Sequence, residues 1–325
     1  GNVTGERQWS NGNVAVGATV ANLAVVPLDG LGRFCLYNSS PMHTIVDVQG
    51  FFMPSALSDS KATKFTPFSP SRVLDTRKVG GKVAASSIKE VAVNGALKDA
   101  VAILTNLTVT GTSSEGYLSG DSCAKLSSNA PDSSNLNFSS QDTVANLAVV
   151  NLGQMSQGLG FCTWANQELH QIVDIQGVFT PGTSGMWGFN LEPQRRLVDT
   201  RKCVTDCAEV FRPGAMIKLK APAGASAVLV NLTLTDAANS SFVIADRCST
   251  LMPSTETPSN ANVTVGRVAA NLAVVPVDVD GTFCVYTSSA TRVIVDIQGT
   301  FSPSADLRFI PVSSVRRFDS RKLAN

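Results

Sequence analysis

Seven cysteines and two histidines are the side chains in this 325-residue sequence best suited to covalent or metal chemistry. Cys123 precedes Cys162, and Cys248 precedes Cys284, at matching places beside a recurring strand sequence, so the four read as two equivalent disulfides. Cys203 and Cys207 sit in a loop peculiar to one copy and are close enough to close a small ring. Zinc is the other reading of that pair, disfavoured because only two histidines occur and no second cysteine pair lies at zinc-finger spacing. Cys35 is left unpaired or bonded to another chain. The count from Asn135 back to Cys123, and from Asn260 back to Cys248, falls ahead of Gly1 when made from Asn11. The expectation is therefore a partner in a longer repeat protein, in a trimmed terminus or in a separate chain. Disulfide use implies an oxidising compartment, extracellular or at the cell surface.

The charged residues recur with the cysteines. Asp47, Asp174 and Asp296 each follow a Phe-Cys pair by twelve residues, and Arg77, Arg201 and Arg321 recur as regularly. A ligand site is one reading. A partly buried ion pair tying the first strand of a unit to its last is the favoured one, with Asp174 meeting Arg77 or Arg201. His43 and His170 occupy matching positions four residues before the aspartate, where the third copy has Arg292; a catalytic base exchanged for arginine is not expected, so these read as exposed cationic positions. Asp278 and Asp280 suit a turn better than a calcium site, since the other copies lack two acids there. No Gly-x-Ser-x-Gly elbow, phosphate loop or dinucleotide fingerprint occurs. We expect no catalytic residue, metal or cofactor.

Asparagine recurs at Asn106 and Asn231, at Asn135, Asn137, Asn260 and Asn262, and at Asn22, Asn146 and Asn271. Amides on strand faces can form a sugar-binding surface, although strand-capping and turn-fixing roles are favoured. Glycosylation sequons stand at Asn2, Asn38 and Asn239; those at Asn106 and Asn231 fall inside predicted strands.

The elements that must hold these residues come from a repeat. Ala21-Asn22-Leu23-Ala24-Val25-Val26 returns at Ala145 and at Ala270, steps of 124 and 125 residues. Arg72-Val73-Leu74-Asp75-Thr76-Arg77 returns as Arg196-Leu197-Val198-Asp199-Thr200-Arg201 and, more loosely, from Arg317 to Arg321. The units so defined are residues 1–52, the C-terminal half of a repeat; 66–180 and 190–303, complete repeats; and 308–325, the opening strand of a further one. Pro-, Ser- and Gly-rich stretches between them read as linkers. Within a unit apolar residues alternate: Val101, Ile103, Leu107 and Val109 oppose Ala102, Asn106, Thr108 and Thr110. Asp280-Gly281 marks a hairpin turn. Roughly eight strands per unit predict an all-β chain of tandem antiparallel, jelly-roll-like β-sandwiches of about 120 residues each. A propeller is the rival, but its blades run to only ~40–50 residues.

Lys plus Arg total 26 and Asp plus Glu 25, which argues against nucleic acid as a partner, and no apolar run is long enough to span a membrane as a helix. Charged residues are only 16%, so Ser, Thr and Asn must cover much of the surface. The succession Arg-Val-Leu-Asp-Thr-Arg, Leu-Thr-Val-Thr, Ser-Asn-Leu-Asn-Phe, Ala-Asn-Leu-Ala-Val-Val and Val-Asp-Ile-Gln-Gly-Val-Phe resembles a repeat of secreted and cell-surface proteins of actinobacterial type. That resemblance implies location and architecture rather than an activity.

A half-sandwich leaves strand edges and apolar surface uncovered. We therefore expect a structural or adhesive subunit of an extracellular assembly such as a filament, sheath or surface layer. Its partners would be copies of itself or further repeats of a longer chain, with the 308–325 strand folding back or entering the next chain. The alternative is a carbohydrate- or cell-wall-binding module with a surface glycan as partner.

Overall fold

The structure is a computed structural model and describes residues 10–57, 60–93, 98–126, 130–182, 185–202, 210–254 and 258–322, apart from the side chain of Ser69. It is all-β, built of antiparallel sheets. The first unit contributes one strand, β1 (Ile45–Pro54). The second unit runs through β2 (Thr63–Asp75), β3 (Ser87–Ala92), β4 (Ala102–Thr110), β5 (Gly116–Asp121), β6 (Leu136–Phe138), β7 (Val144–Asn151), β8 (Gly153–Met155), β9 (Gly158–Ala165) and β10 (His170–Pro181). The third runs through β11 (Gly188–Asp199), β12 (Ala215–Lys220), β13 (Ala227–Thr235), β14 (Ser241–Asp246), β15 (Ala261–Val263), β16 (Ala269–Pro276), β17 (Thr282–Thr287) and β18 (Arg292–Ser302); β19 (Leu307–Asp319) ends the chain.

Each complete unit is a two-layer sandwich. In the second, the inner layer has the order β2-β10-β4-β7 and the outer layer β3-β9-β5-β6; in the third, the matching layers are β11-β18-β13-β16 and β12-β17-β14-β15. Ile103, Leu107, Phe161 and Val173 fill one sandwich, and Val230, Leu232, Phe283 and Val295 the other. The Asp280-Gly281 hairpin is present, with Gly281 at φ 77° between β16 and β17, a conformation that glycine adopts without steric cost.

The inner layers depart from a string of separate sandwiches. Simple alternation predicts one buried face per strand, yet β4 and β13 are buried on both. Their second faces carry Ala102, Leu104, Ala227 and Leu229 into a cluster shared by all three units, together with Phe65, Phe179, Phe189, Phe301 and Phe309. The inner sheets thus pack around a common centre, a layer that single-unit periodicity does not reveal.

The second departure concerns the chain end. β19 neither projects outward nor waits for another chain: it pairs with β1, from Pro54↔Leu307 to Ile45↔Asp319. This repeats the register of β2 with β10, where Gly177↔Pro67 and Asp174↔Arg72 match Gly50↔Pro311 and Asp47↔Arg316. Of the two courses expected for the last strand, folding back and entering a neighbouring chain, folding back is the one present, because β1 offers it the edge that each opening strand takes in the complete units. The opening strands begin at Thr63, Gly188 and Leu307, inside stretches whose prolines read as linkers. Pro67, Pro193 and Pro311 are accommodated near register shifts, where the ladder is already interrupted.

Candidate functional site

The repeated charges converge where each opening strand crosses the last strand of its unit. Arg72 sits directly opposite Asp174 and donates from Nε and Nη2 to its two oxygens at 2.8 and 3.0 Å. Arg196 holds Asp296 at 2.8 and 3.1 Å, and Arg316 holds Asp47 at 2.8 and 3.0 Å. The partner is thus the first arginine of each motif, and in the third copy the structure moves that start one residue ahead of the expected Arg317, to Arg316, which stands three residues before Asp319 as Arg72 does before Asp75. Arg77, Arg201 and Arg321 turn instead to Asp75, Asp199 and Asp319, each with a 2.7 Å contact. The expectation that Asp174 meets Arg77 or Arg201 is corrected for a simple reason: those arginines lie beyond the last residue of the strand, out of reach of a register partner.

Each crossing is therefore a chain of alternating charge, such as Asp174–Arg72–Asp75–Arg77. Hydrogen bonds from Arg77, Arg201 and Arg321 hold the Asp75, Asp199 and Asp319 carboxyls below the usual carboxylate value. Asp174 is 1% exposed, and burial pushes its carboxyl upward against the opposing pull of Arg72. The aspartates and the first arginine of each chain are largely buried and act as clamps, since removal of either partner leaves the other charge buried and unpaired.

Inside the clamps lies a cycle of six phenylalanines, two from each unit. Phe65–Phe179, Phe189–Phe301 and Phe52–Phe309 are contacts within units, with centroids 5.1, 5.0 and 5.0 Å apart. Phe52–Phe189 at 4.3 Å, Phe65–Phe301 at 4.7 Å and Phe179–Phe309 at 4.5 Å join the units and close the cycle. Gly50, Gly177 and Gly299 lie under Phe309, Phe65 and Phe189, where a Cβ would overlap the ring. The signal was present in the sequence, since each of these three phenylalanines stands seven residues before the clamping arginine.

A second cycle is polar. Gln49 Oε1 accepts from the Val149 amide at 3.0 Å, Gln176 from Val274 at 3.2 Å and Gln298 from Val25 at 3.4 Å, so each unit touches the next. Asn271 donates to Asn106 at 2.9 Å and Asn22 to Asn231 at 3.3 Å, again between units. Asn106, Asn146, Asn231 and Asn271 are buried, which rules them out as a sugar-facing surface and puts the Asn106 and Asn231 sequons out of reach. Asn135 and Asn260 accept from the Gly120 and Ala245 amides at 2.7 Å, fixing neighbouring strands; Asn137 and Asn262 are half-buried. Asn38 and Asn239 are exposed, and Asn2 lies outside the described residues.

Cys123–Cys162 and Cys248–Cys284 are disulfides, Cys35 is free and exposed, and Cys203 and Cys207 lie outside the described residues. His43 and His170 contact Ser320 and Thr76 at 3.3 and 3.2 Å, while Arg292 donates to the Thr200 carbonyl at 2.8 Å, so the three matching positions secure the end of the opening strand. Asp278 and Asp280 accept from Ser249 and Thr282 and shape their turn. A surface depression of about 530 Å³ beside this turn is lined by Trp187, Lys220, Pro222, Arg247, Asp278 and Asp280, without histidine or cysteine. Among the described residues no three His, Cys, Asp or Glu side chains cluster to hold a metal, and no helix is long and apolar enough to cross a membrane.

The sequence matches no protein-family model and no curated protein. Among solved structures it is similar to the Macrobrachium rosenbergii nodavirus at 10% identity, covering 88% of this chain and 97% of that one, with a TM-score of 0.17. It is also similar to the infectious bursal disease virus Gx strain at 10% identity, 86% and 79% coverage and a TM-score of 0.18. A third similarity is to the N-terminal CBM22-1-CBM22-2 tandem domain of Paenibacillus barcinonensis Xyn10C, at 8% identity, 85% and 100% coverage and a TM-score of 0.14. At such scores these likenesses establish neither a shared fold nor a function.

Proposed function

We propose that this chain is a non-catalytic structural or adhesive subunit of an extracellular assembly, a block of packed β-sandwiches that meets its neighbours through exposed apolar surface. The observation that carries this reading is that the recurring polar and aromatic residues are spent on closing the junction: clamps, phenylalanine cycle and amide cycle all face inward. What faces outward unevenly is apolar surface on the first unit, including Val26, Leu28, Phe34, Leu36 and Tyr37. Two disulfides suit an oxidising location.

Sedimentation velocity and negative-stain microscopy of the oxidised full chain, over a range of concentrations, test this. Ordered oligomers or filaments with contacts at residues 10–54 are expected. A strictly monomeric particle that binds one glycan saturably on an array would overturn the reading in favour of a carbohydrate-binding module.

A further inference from the structure

The two complete sandwiches differ at one end, and the difference opens a depression in the third unit. In the second unit Phe161 stands eleven residues after Val150, and β8 folds back on β9 there. Met155 of that hairpin lies with its Sδ 3.3 Å from Cys123 and occupies the space a Cβ at Gly160 would need. In the third unit Phe283 stands only eight residues after Val275, and about 530 Å³ is open beside the shorter turn, a volume within the range of small-molecule sites. The third unit also carries Trp187, Lys220, Arg247 and Asp278 where the second has Thr63, Ala92, Ser122 and Gly153, and all four line the opening.

The walls are held by backbone bonds, so the opening is formed in advance of any ligand. The Val277 amide donates to the Ser226 carbonyl and the Ala221 amide to that of Gly281, both at 3.0 Å, while the Ser226 amide reaches the Phe301 carbonyl at 2.9 Å. Arg247 is half-buried and donates from Nε to the Val277 carbonyl at 3.3 Å, which leaves both Nη groups without a protein partner among the described residues. Lys220 donates to the Asp280 carbonyl. Among the described residues neither cation forms a salt bridge, whereas Asp280 is paired with Lys218 at 3.3 Å. Asp278 accepts from the Ser249 amide and hydroxyl, and Trp187, 8% exposed, adds apolar wall with Pro222.

A guanidinium pinned at Nε, with its fork open, suits a carboxylate bound through two parallel hydrogen bonds. The Asp278 and Asp280 carboxylates beside it accept from hydroxyls and repel further acids, which disfavours an acidic peptide. A ligand unit with one carboxylate, several hydroxyls and a small apolar face meets every wall. We propose that this depression binds a carboxylated sugar, a uronic acid residue of an acidic polysaccharide, with its carboxylate on Arg247 and Lys220 and its hydroxyls on Asp278 and Asp280. The site goes beyond the assembly reading, and either can fail without the other.

Titration calorimetry of the oxidised full chain with trigalacturonate and trimannuronate, their methyl esters and a hexaglutamate peptide tests this, with hydrogen exchange read along the chain. One of the two acidic sugars should bind saturably, about tenfold tighter than its ester, and slow exchange in residues 221–226 and 277–281. Arg247→Ala should weaken that binding about tenfold and Arg247→Lys about threefold, since lysine keeps the charge and loses the fork. Lys125→Ala, at an exposed cation of the second unit, should leave it unchanged. Equal binding of acid and ester, no binding of either acid, tighter binding of hexaglutamate, or protection outside those two segments overturns the proposal. The ester comparison and the exchange map use the unaltered chain, so they decide the matter even where an Arg247 variant does not fold. Saturable sugar binding by a chain that stays monomeric keeps the site and removes the assembly reading, whereas ordered oligomers that bind neither acid do the reverse.

Discussion

The first unit and the two complete units carry the same sequence signals and bury them to different depths. Phe161 and Phe283 are 0% exposed and their copy Phe34 is 38% exposed; Cys162 and Cys284 are bonded while Cys35 is free. Yet the clamp Arg316–Asp47 has the geometry of its copies, and Phe52 and Phe309 take their places in the aromatic cycle. The difference separates two tasks that one sandwich ordinarily combines. The inner crossing of two strands suffices to join a unit to the common centre, while the outer layer decides whether that unit has a dry core of its own.

Removing residues 307–325 should have the largest effect, since it strips β1 of its partner and opens the phenylalanine cycle on both sides of Phe309. We expect loss of the cooperative thermal transition, or a fall of more than about 5 kcal/mol, by calorimetry and urea titration. Retention of normal stability would mean that the first unit is not integral to the centre. Next in size, Phe161→Ala should cost about 4–5 kcal/mol as a fully buried aromatic, against about 0.5 or less for Phe34→Ala in the isolated protein. Equal losses would show that residues 10–44 have a core of their own. Cys162→Ser should cost about 4 kcal/mol by the loop-entropy argument, and Cys35→Ser close to nothing, again by urea titration.

Smaller still is the clamp. Arg72→Met should cost about 3 kcal/mol by leaving Asp174 buried without its cation. The charge-reversed double variant, Arg72→Asp with Asp174→Arg, should recover part of that loss, whereas Arg77→Asp with Asp174→Arg should not. The smallest effect is the response to acid. Asp75, Asp199 and Asp319 titrate below their unfolded value, so the stability they contribute is complete above about pH 4–5 and is lost as pH falls further. Asp174, shifted upward by burial, works in the opposite sense and offsets part of that loss. Tm should be flat from neutrality to about pH 5 and fall below it, and Asp319→Asn in the first unit should flatten that fall as much as Asp199→Asn in the third.

The repeat, the alternation and the two paired disulfides were legible because each depends on residue type and order within a unit. The clamp partner was not, because choosing between Arg72 and Arg77 requires the strand register, which depends on where the opening strand stops. The phenylalanine cycle was hidden for another reason: Phe65 and Phe189 sit in stretches that read as connectors, Phe309 sits at the start of the 308–325 strand, and only packing between units gives the three a role. A sugar-facing surface was the less favoured reading of the asparagines; what was not legible is that Asn106 and Asn231 meet another unit, because that depends on packing between units.

Closure of the first unit by the last strand of the same molecule can be trapped covalently. Val48→Cys with Val315→Cys, in a Cys35→Ser background, places thiols on register partners of β1 and β19. Mild oxidation at low protein concentration followed by peptide mass spectrometry should find a bond joining positions 48 and 315 of the same monomer, in yield independent of concentration. A bond formed only between chains, or two thiols that stay free and reactive, would contradict the closed ring.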